Sequence, residues 1–136
     1  MVKKLNLDFV QLHGKESAEY CRQIQTEVIK AIPLPANFSI NKIIDVMRSY
    51  GVSFYLIDRE KQGQGKIVDV KKAKVIAEKF PIIFAGGLTI ETVESIQNKV
   101  RPYAVDVAGG IETNGVQDLE KIRKFIKDAK GGFQYE

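Results

Sequence analysis

The sequence predicts an α/β fold with a parallel sheet, and three observations lead to this fold class. Short apolar runs alternate five times with segments that have the apolar spacing of amphipathic helices. The runs are nearly continuous in apolar residues, which is typical of strands buried on both faces. The chain has 136 residues, is 44% hydrophobic and contains no linker or low-complexity stretch, so we expect one domain over 1–136 with one core. Strict strand–helix alternation makes the sheet parallel.

The individual elements are predicted from apolar runs and from the residues that can cap helices. The predicted strands are 7–12, 28–32, 52–57, 81–85 and 103–107. The predicted helices are 16–25, 40–50, 70–79, 90–98 and 116–129. Three side chains are predicted helix N-caps, and one glycine is a predicted helix end: Ser39, Asp69, Thr89 and Gly51. The tail 131–136 is expected to fray.

Five such units fit two architectures. One is an open, doubly wound sheet of the flavodoxin type, and the other is part of an eight-unit (βα)8 barrel. A receiver domain of the first type is disfavoured, because residues 11–14 offer no cluster of acids after the first strand. Hydrophobic periodicity does not separate the two architectures. In both of them, ligands bind beyond the carboxyl ends of the strands.

Composition excludes several functional classes. The net charge is +4, but Lys and Arg are scattered among acidic residues, so we expect an anionic small molecule rather than nucleic acid as the partner. No apolar run is long enough to cross a bilayer, and one His with one Cys gives no metal-ligand spacing. The single cysteine, Cys21, fits a cytoplasmic location and lies on the core face of its predicted helix, where it is a small buried hydrophobe rather than a nucleophile.

Two glycine pairs follow neighbouring strands. Gly86-Gly87 comes after the strand 81–85, and Gly109-Gly110 comes after the strand 103–107. Glycine allows a sharp turn and a close approach to backbone N–H groups, and a following helix N-terminus favours an anion. Either pair alone is equally well explained as a tight turn. Together they predict one phosphate cup.

Other polar residues also fall at predicted strand ends: Gln11, His13, Lys30, Asp58 and Asp106. Asp58 follows a buried strand and is partly removed from water, which suits a general acid, although it also suits a residue that only caps the strand. His13 is more commonly a packed or hydrogen-bonded core histidine at such a position than a base. Asp106 is expected to hydrogen-bond neighbouring loops.

The ordered set of motifs resembles phosphoribosylanthranilate isomerase. The motifs are Val10-Gln11-Leu12-His13-Gly14 with Glu16, Leu56-Ile57-Asp58, Gly63-Gln64-Gly65-Lys66 with Asp69, Ala85-Gly86-Gly87-Leu88, and Asp106-Val107 through Gly110-Ile111-Glu112. Each motif is weak alone, but their order and spacing agree across nearly all of the chain. The resemblance implies an incomplete (βα)8 barrel that corresponds to units four to eight of that family.

The resemblance also implies an activity, an Amadori rearrangement of N-(5-phosphoribosyl)anthranilate in tryptophan biosynthesis, without a metal or organic cofactor. A general acid opens the ribose ring to a Schiff base, and a general base then removes the proton at C2 of the sugar. Asp58 matches the acid, whereas Gln11 and His13 match residues that line the site. The phosphate cup of this sugar-phosphate substrate matches Gly86, Gly87, Ala108, Gly109 and Gly110.

The chain departs from the family pattern in ways that affect activity. The family's base is a Cys in a Lys-Ile-Cys-Gly-like strand, and neither this motif nor the units that carry an Arg for the anthranilate carboxylate have a counterpart here. The final loop usually reads Ser-Ser-Gly, and here it reads Ala108-Gly109-Gly110. We therefore expect weak or no activity from an N-terminally truncated barrel. The alternative is a non-catalytic barrel fragment or assembly module that retains the phosphate cup. Open strand edges predict self-association or a complementing N-terminal fragment.

Overall fold

The structure is a computed structural model that describes residues 2–59 and 68–131. Its main sheet has five parallel strands, which are Phe9–Leu12 (β1), Glu27–Leu34 (β2), Phe54–Arg59 (β3), Ile82–Phe84 (β4) and Ala104–Val105 (β5). The α-helices are Val2–Leu5 (α1), Ala18–Gln23 (α2), Ile40–Tyr50 (α3), Val70–Lys79 (α4), Val93–Val100 (α5) and Leu119–Gly131 (α6). A short 3-10 turn at Gly109–Ile111 leads into a small antiparallel hairpin formed by Glu112–Thr113 (β6) and Val116–Gln117 (β7).

The order of the strands decides between the two predicted architectures. Each strand pairs in parallel with the next strand along the chain, in the order β1-β2-β3-β4-β5. A doubly wound sheet of the flavodoxin type places its second strand outside the first and reverses direction at a switch point. No such reversal occurs among the described strands, so the flavodoxin alternative is wrong. The sheet is an open run of βα-barrel units, with β1 and β5 at its two described edges.

The larger core lies between the sheet and the helices. Residues of β2, β3 and β4 point into it and meet one apolar stripe from each of α3, α4, α5 and α6; fully buried examples are Ile57, Phe84, Met47, Ile76 and Val93. A smaller cluster of Ala31, Leu56 and Ala85 occupies the opposite face of the sheet, on which no helix packs in the described part of the chain. Because side chains alternate along a strand, Asp58, two residues beyond Leu56 in β3, lies on this second face.

The helix termini follow the predicted capping chemistry in α3 and α4. The Asp69 carboxylate accepts hydrogen bonds from the N–H groups of Lys71 and Lys72 at 3.0 and 3.2 Å. The Ser39 hydroxyl accepts from Lys42, and Gly51 ends α3 in the left-handed conformation with φ +59°. These contacts satisfy backbone groups that a helix leaves unpaired at its ends.

Several predicted boundaries are wrong for reasons that involve tertiary structure. β2 continues through Pro33 to Leu34, although proline cannot donate to a sheet. The nitrogen of Pro33 faces the β1 side of β2, and the pairing of β1 with β2 has already ended at Lys30. The missing N–H group therefore costs no hydrogen bond with a described strand. The predicted cap Thr89 is also wrong, because α5 begins at Val93 and Thr92 is the residue that precedes it; a turn over 89–92 comes before the helix.

The last helix begins later than predicted. The hairpin of β6 and β7 occupies 112–117, and Asp118 caps α6 through the N–H groups of Glu120 and Lys121. Phe125 and Ala129 are buried, whereas Leu119 and Ile126 stay 67% and 48% exposed. The helix reaches Gly131, and the rest of the predicted tail, 132–136, lies outside the described residues. Within 2–59 and 68–131, no helix is both long and apolar enough to span a membrane.

Candidate functional site at the carboxyl edge of the sheet

The register of the sheet gathers two carboxylates and an imidazole at one edge. Asp58 is paired with Pro33 near the end of β3. The N–H of Ala85 donates to the Ile57 carbonyl, and the N–H of Asp106 donates to the Phe84 carbonyl, each at 2.9 Å. These bonds place Asp58 and Asp106 at the ends of the two strands that flank β4, on the face that holds the smaller apolar cluster. His13 follows β1, and its Nε2 lies 4.0 Å from Oδ2 of Asp58.

Asp58 is the more enclosed member of this group. Its side chain is 14% exposed, and Oδ1 is buried without a hydrogen-bond partner among the described residues. Oδ1 lies directly against the Cα of Gly86, in the space that a Cβ would take. An enclosed carboxyl oxygen without a protein donor is available to a ligand or to a proton. A residue that only caps a strand would use its oxygens to accept backbone N–H groups, and Oδ1 of Asp58 accepts none among the described residues.

His13 is not the packed core histidine that the sequence favoured. Its side chain is 55% exposed, and its Nδ1 lies 3.4 Å from Nε2 of Gln11. The distance of 4.0 Å to Asp58 is within ion-pair range if the ring is protonated, but it is too long for a direct hydrogen bond. The imidazole therefore faces the acid across a gap, and the open side of the ring is accessible to a small molecule.

Asp106 comes directly after β5 and not within it. Partial removal from water raises the pKa of this carboxyl, the negative charge of Asp58 raises it further, and His13 acts in the opposite direction. The expected hydrogen bonds from the Asp106 side chain to neighbouring loops are absent among the described residues. Asp106 instead belongs electrostatically to the pair formed by Asp58 and His13.

The two glycine loops are in direct contact. Gly86 and Gly87 both have positive φ values, +85° and +82°, which glycine adopts without the cost that other residues incur. A Cβ at Gly110 would overlap the Leu88 carbonyl oxygen and lie 3.0 Å from the Cα of Thr89. The Thr89 N–H is already bound by the Thr92 hydroxyl at 3.0 Å. The backbone of one loop therefore lies in contact with the backbone of the other.

The exposed side of this contact carries the remaining predicted cup residues. Ala108 and Gly109 are exposed, and nothing lies within 4 Å of a Cβ built on Gly109. Among the described residues, no group of three His, Cys, Asp or Glu side chains is arranged to hold a metal ion. The predicted Gly63-Gln64-Gly65-Lys66 loop lies outside the described residues.

Two other candidates are separate from the site. Cys21 is buried, as predicted, and burial raises the pKa of its thiol. Lys30 lies in the middle of β2 and is 2% exposed. Its neighbours Ile29 and Ala31 belong to the smaller apolar cluster, so the Lys30 side chain projects from the opposite face. Glu16, which belongs to the first motif, and Tyr50 both contact the loop after β1, and these contacts are set by folding rather than by local sequence.

The consecutive strand order and a site at the carboxyl strand ends put the chain in the class of βα-barrel proteins. Residues 1–128 match the family model for N-(5'phosphoribosyl)anthranilate (PRA) isomerase. The chain belongs to this family.

Individual relatives agree with the family match. The chain is 41% identical over 131 residues to N-(5'-phosphoribosyl)anthranilate isomerase of Listeria innocua, which covers 96% of this chain and 64% of that protein. It superposes with a TM-score of 0.80 on phosphoribosyl anthranilate isomerase from Thermotoga maritima, at 34% identity and covering 96% and 65% of the two chains. A second similar structure is phosphoribosyl anthranilate isomerase in complex with reduced 1-(o-carboxyphenylamino)-1-deoxyribulose 5-phosphate. Its TM-score is 0.77 and its identity 32%, and the match covers 96% of this chain and 63% of that one. The chain thus spans just under two thirds of the length of the curated relative.

Proposed function

We propose that this chain forms the acid and phosphate-binding part of a phosphoribosylanthranilate isomerase, which converts N-(5-phosphoribosyl)anthranilate to the 1-deoxyribulose phosphate. Family membership supports the reaction. The single structural observation that carries the proposal is the position of Asp58. Its Oδ1 has no hydrogen-bond partner within 2–59 and 68–131 and rests against the glycine turn, and its other oxygen faces an accessible imidazole.

In this proposal Asp58 is the general acid that protonates the ribose ring oxygen. Its enclosure limits competition from water, and a positioned acid of this kind contributes about 10²–10⁴-fold to a rate. Gln11 and His13 line the substrate side of the site. The phosphate lies in the cup formed by Gly86, Gly87, Ala108, Gly109 and Gly110, where exposed backbone N–H groups replace the hydroxyl donors that the family usually has in the last loop.

The base that removes the C2 proton is the part of the reaction that this chain does not supply. Cys21 cannot act as this base, because it is buried in α2 on the helix side of the sheet and burial raises its pKa. We infer that residues outside these 136 carry the base, and that the chain by itself binds a sugar phosphate more readily than it turns one over.

Binding is tested by NMR titration of the whole chain with the reduced 1-(o-carboxyphenylamino)-1-deoxyribulose 5-phosphate named for the related complex. We expect amide shifts at Gly86, Gly87 and Gly109. Gly51 and Gly115 serve as internal controls, since they have positive φ values and lie in turns outside the proposed site. Equal shifts at the control glycines, or none at the cup, would contradict the proposal.

Turnover is tested by following N-(5-phosphoribosyl)anthranilate with the chain and with the Asp58→Asn variant. We expect the unmodified chain to be at least ~10²-fold slower than a full-length relative, because the base is absent. Asp58→Asn should abolish the residual rate and leave phosphate-induced shifts at the cup in place. A full family rate from this chain would refute the inference about the base.

The edge of β1 supports a further part of the proposal, which concerns partners. Phe9 and Leu7 are 45% and 40% exposed at this edge, and unpaired strand edges with apolar residues are prone to association. We propose that further βα units, from a complementing polypeptide or a second copy, cover the edge. Sedimentation of the chain at high concentration distinguishes these: a concentration-dependent dimer supports a second copy, and a stable monomer leaves only the complementing polypeptide.

A further inference from the structure

Lys30 carries a charged side chain that is buried in the protein, and burying a charge costs free energy. It and Gln97 are the buried polar side chains of the described residues, and Lys30 is only 2% exposed. Moving an ammonium group out of water costs several kcal/mol unless its donors are satisfied and its charge is compensated. No carboxylate of the described residues lies within ion-pair distance of it. The contacts of the Lys30 ammonium must therefore account for its burial.

Each of these contacts involves a backbone carbonyl or an aromatic face. The Nζ of Lys30 donates to the carbonyls of Ala31 at 3.1 Å, Gly14 at 2.9 Å and Leu12 at 3.4 Å. The same nitrogen lies 5.5 Å from the centroid of the Tyr50 ring, within the range of a cation–π interaction. An ammonium group has three donors, so its hydrogen-bonding capacity is filled.

Two of the three acceptors flank His13. The Leu12 carbonyl belongs to the peptide that precedes His13, and the Gly14 carbonyl belongs to the peptide that follows Gly14. Lys30 therefore holds the chain on both sides of the histidine. It does so from the helix side of β2, so it does not enter the site with Asp58, and any effect on the imidazole passes through the backbone.

Glu16 completes this arrangement from the other end of the loop. Its Oε1 accepts a hydrogen bond from the Gly14 N–H at 2.9 Å, which fixes the peptide directly after His13. Partial burial opposes ionisation of Glu16, but the Gly14 hydrogen bond and then the charge of Lys30 leave its pKa below the ordinary value. The Tyr50 hydroxyl donates to the Glu16 carbonyl at 2.8 Å. The loop is thus tied to β2 and α3 at three backbone carbonyls, and the Gly14–Glu16 hydrogen bond closes it internally.

We propose that Lys30 and Glu16 are positioning residues that clamp the peptides around His13 and hold its imidazole opposite Asp58. This inference deepens the proposed function and rests on it for any catalytic consequence. The geometric part does not depend on turnover. Loss of the clamp moves the imidazole away from Asp58, although neither Lys30 nor Glu16 touches the ring.

The chain offers a clean measurement because it contains a single histidine, so the ring signals of His13 in an NMR spectrum are unambiguous. At fixed pH, Asp58→Asn should shift these ring signals while the clamp is present. In a Lys30→Met background, which keeps the length of the side chain but removes its donors, the same substitution should produce less than half of that shift. An equal shift in both backgrounds would overturn the proposal.

Lys72 supplies a matched control. Its Nζ donates to the Phe38 carbonyl at 2.7 Å and lies 4.8 Å from the Phe38 ring, so it has the same kinds of contact as Lys30 at a site remote from His13. Lys72→Met should leave the response of His13 to Asp58→Asn intact. If Lys72→Met reduces the response as much as Lys30→Met does, a general loss of stability explains the result and the proposal fails.

A second pair of variants decides the matter if Lys30→Met does not fold. Glu16→Ala removes the acceptor of the Gly14 N–H and should reduce the His13 response, whereas Glu16→Gln keeps an acceptor oxygen and should restore it. Equal responses in the two Glu16 variants count against the clamp. Failure of the proposed function is recognised separately, because sugar-phosphate shifts at Gly86 and Gly109 report binding without reference to His13.

Discussion

Gly86 packs closely against the end of β3, and this contact leads to a quantitative prediction for Gly86→Ala. A Cβ at this position would overlap Oδ1 of Asp58 and lie 2.9 Å from the backbone nitrogen of Arg59, where ordinary contacts begin at 3.4 Å. The φ angle of +85° also strains any residue with a side chain. The substitution therefore combines a conformational cost with a steric one.

These two costs can be separated, because Gly51 has a positive φ of +59° and nothing within 4 Å of its Cβ position. Gly51→Ala should cost only the left-handed conformation, about 1–2 kcal/mol of the free energy of unfolding. Gly86→Ala should cost a similar conformational amount and a further ~1–3 kcal/mol for the forced displacement of Arg59 and Asp58. The expected difference between the two variants is thus about 1–3 kcal/mol.

Urea unfolding followed by far-UV circular dichroism measures both variants against the unmodified chain. We expect the midpoint for Gly86→Ala to fall clearly below that for Gly51→Ala, with an unchanged slope, because the surface exposed on unfolding is the same. Midpoints that coincide would refute the close packing of Asp58 against the glycine turn. In that case the proposed enclosure of the acid would also be lost.

Two further predictions concern the other loop and the second carboxylate. Gly110→Ala should lower the free energy of unfolding by ~1–3 kcal/mol, because its Cβ would overlap the Leu88 carbonyl oxygen. Gly109→Ala is the control: nothing lies within 4 Å of its Cβ position, so the free energy of unfolding should change by no more than about 0.5 kcal/mol. Equal unfolding midpoints for the two variants would contradict the contact between the loops. Asp106 has its folded pKa raised above 3.8, so the folded state binds more protons in the window just above that value and stability falls as the pH rises through it. Asp106→Asn should therefore be more stable than the unmodified chain near neutral pH, and the difference should vanish below pH 3.8. Solvent screening keeps this difference in the free energy of unfolding under about 1 kcal/mol. A variant that is less stable than the unmodified chain at pH 7 would contradict the prediction.

Local chemistry made much of the fold predictable. α3 runs over 40–50 as predicted, because Ser39 and Gly51 terminate it through contacts within a few residues of the helix itself. Asp69 caps α4 for the same reason. Thr89 failed as a cap because a turn over 89–92 precedes α5, which begins at Val93, and composition alone does not distinguish such a turn from a helix start.

The site was predictable as a set of strand ends but not as an arrangement. His13 and Lys30 looked alike in the sequence, each a polar residue near the end of an apolar run. In the structure His13 is exposed opposite Asp58, whereas Lys30 is buried on the helix-covered face of the sheet. Which face a residue occupies depends on the register of its strand, and a shift of one residue would exchange the two faces.

By itself, the sequence determined the alternation of strands and helices, the caps of α3 and α4, the glycine turns and the family, because each depends on neighbouring residues or on ordered motifs. Only the tertiary structure decided the strand order, and with it the barrel-type sheet rather than the doubly wound one. The pairing partner of a strand lies a whole helix away along the chain, and hydrophobic periodicity carries no information about which side of the sheet the next strand joins. The contact of Gly86 with Asp58 and the hold of Lys30 on the His13 loop follow from that pairing.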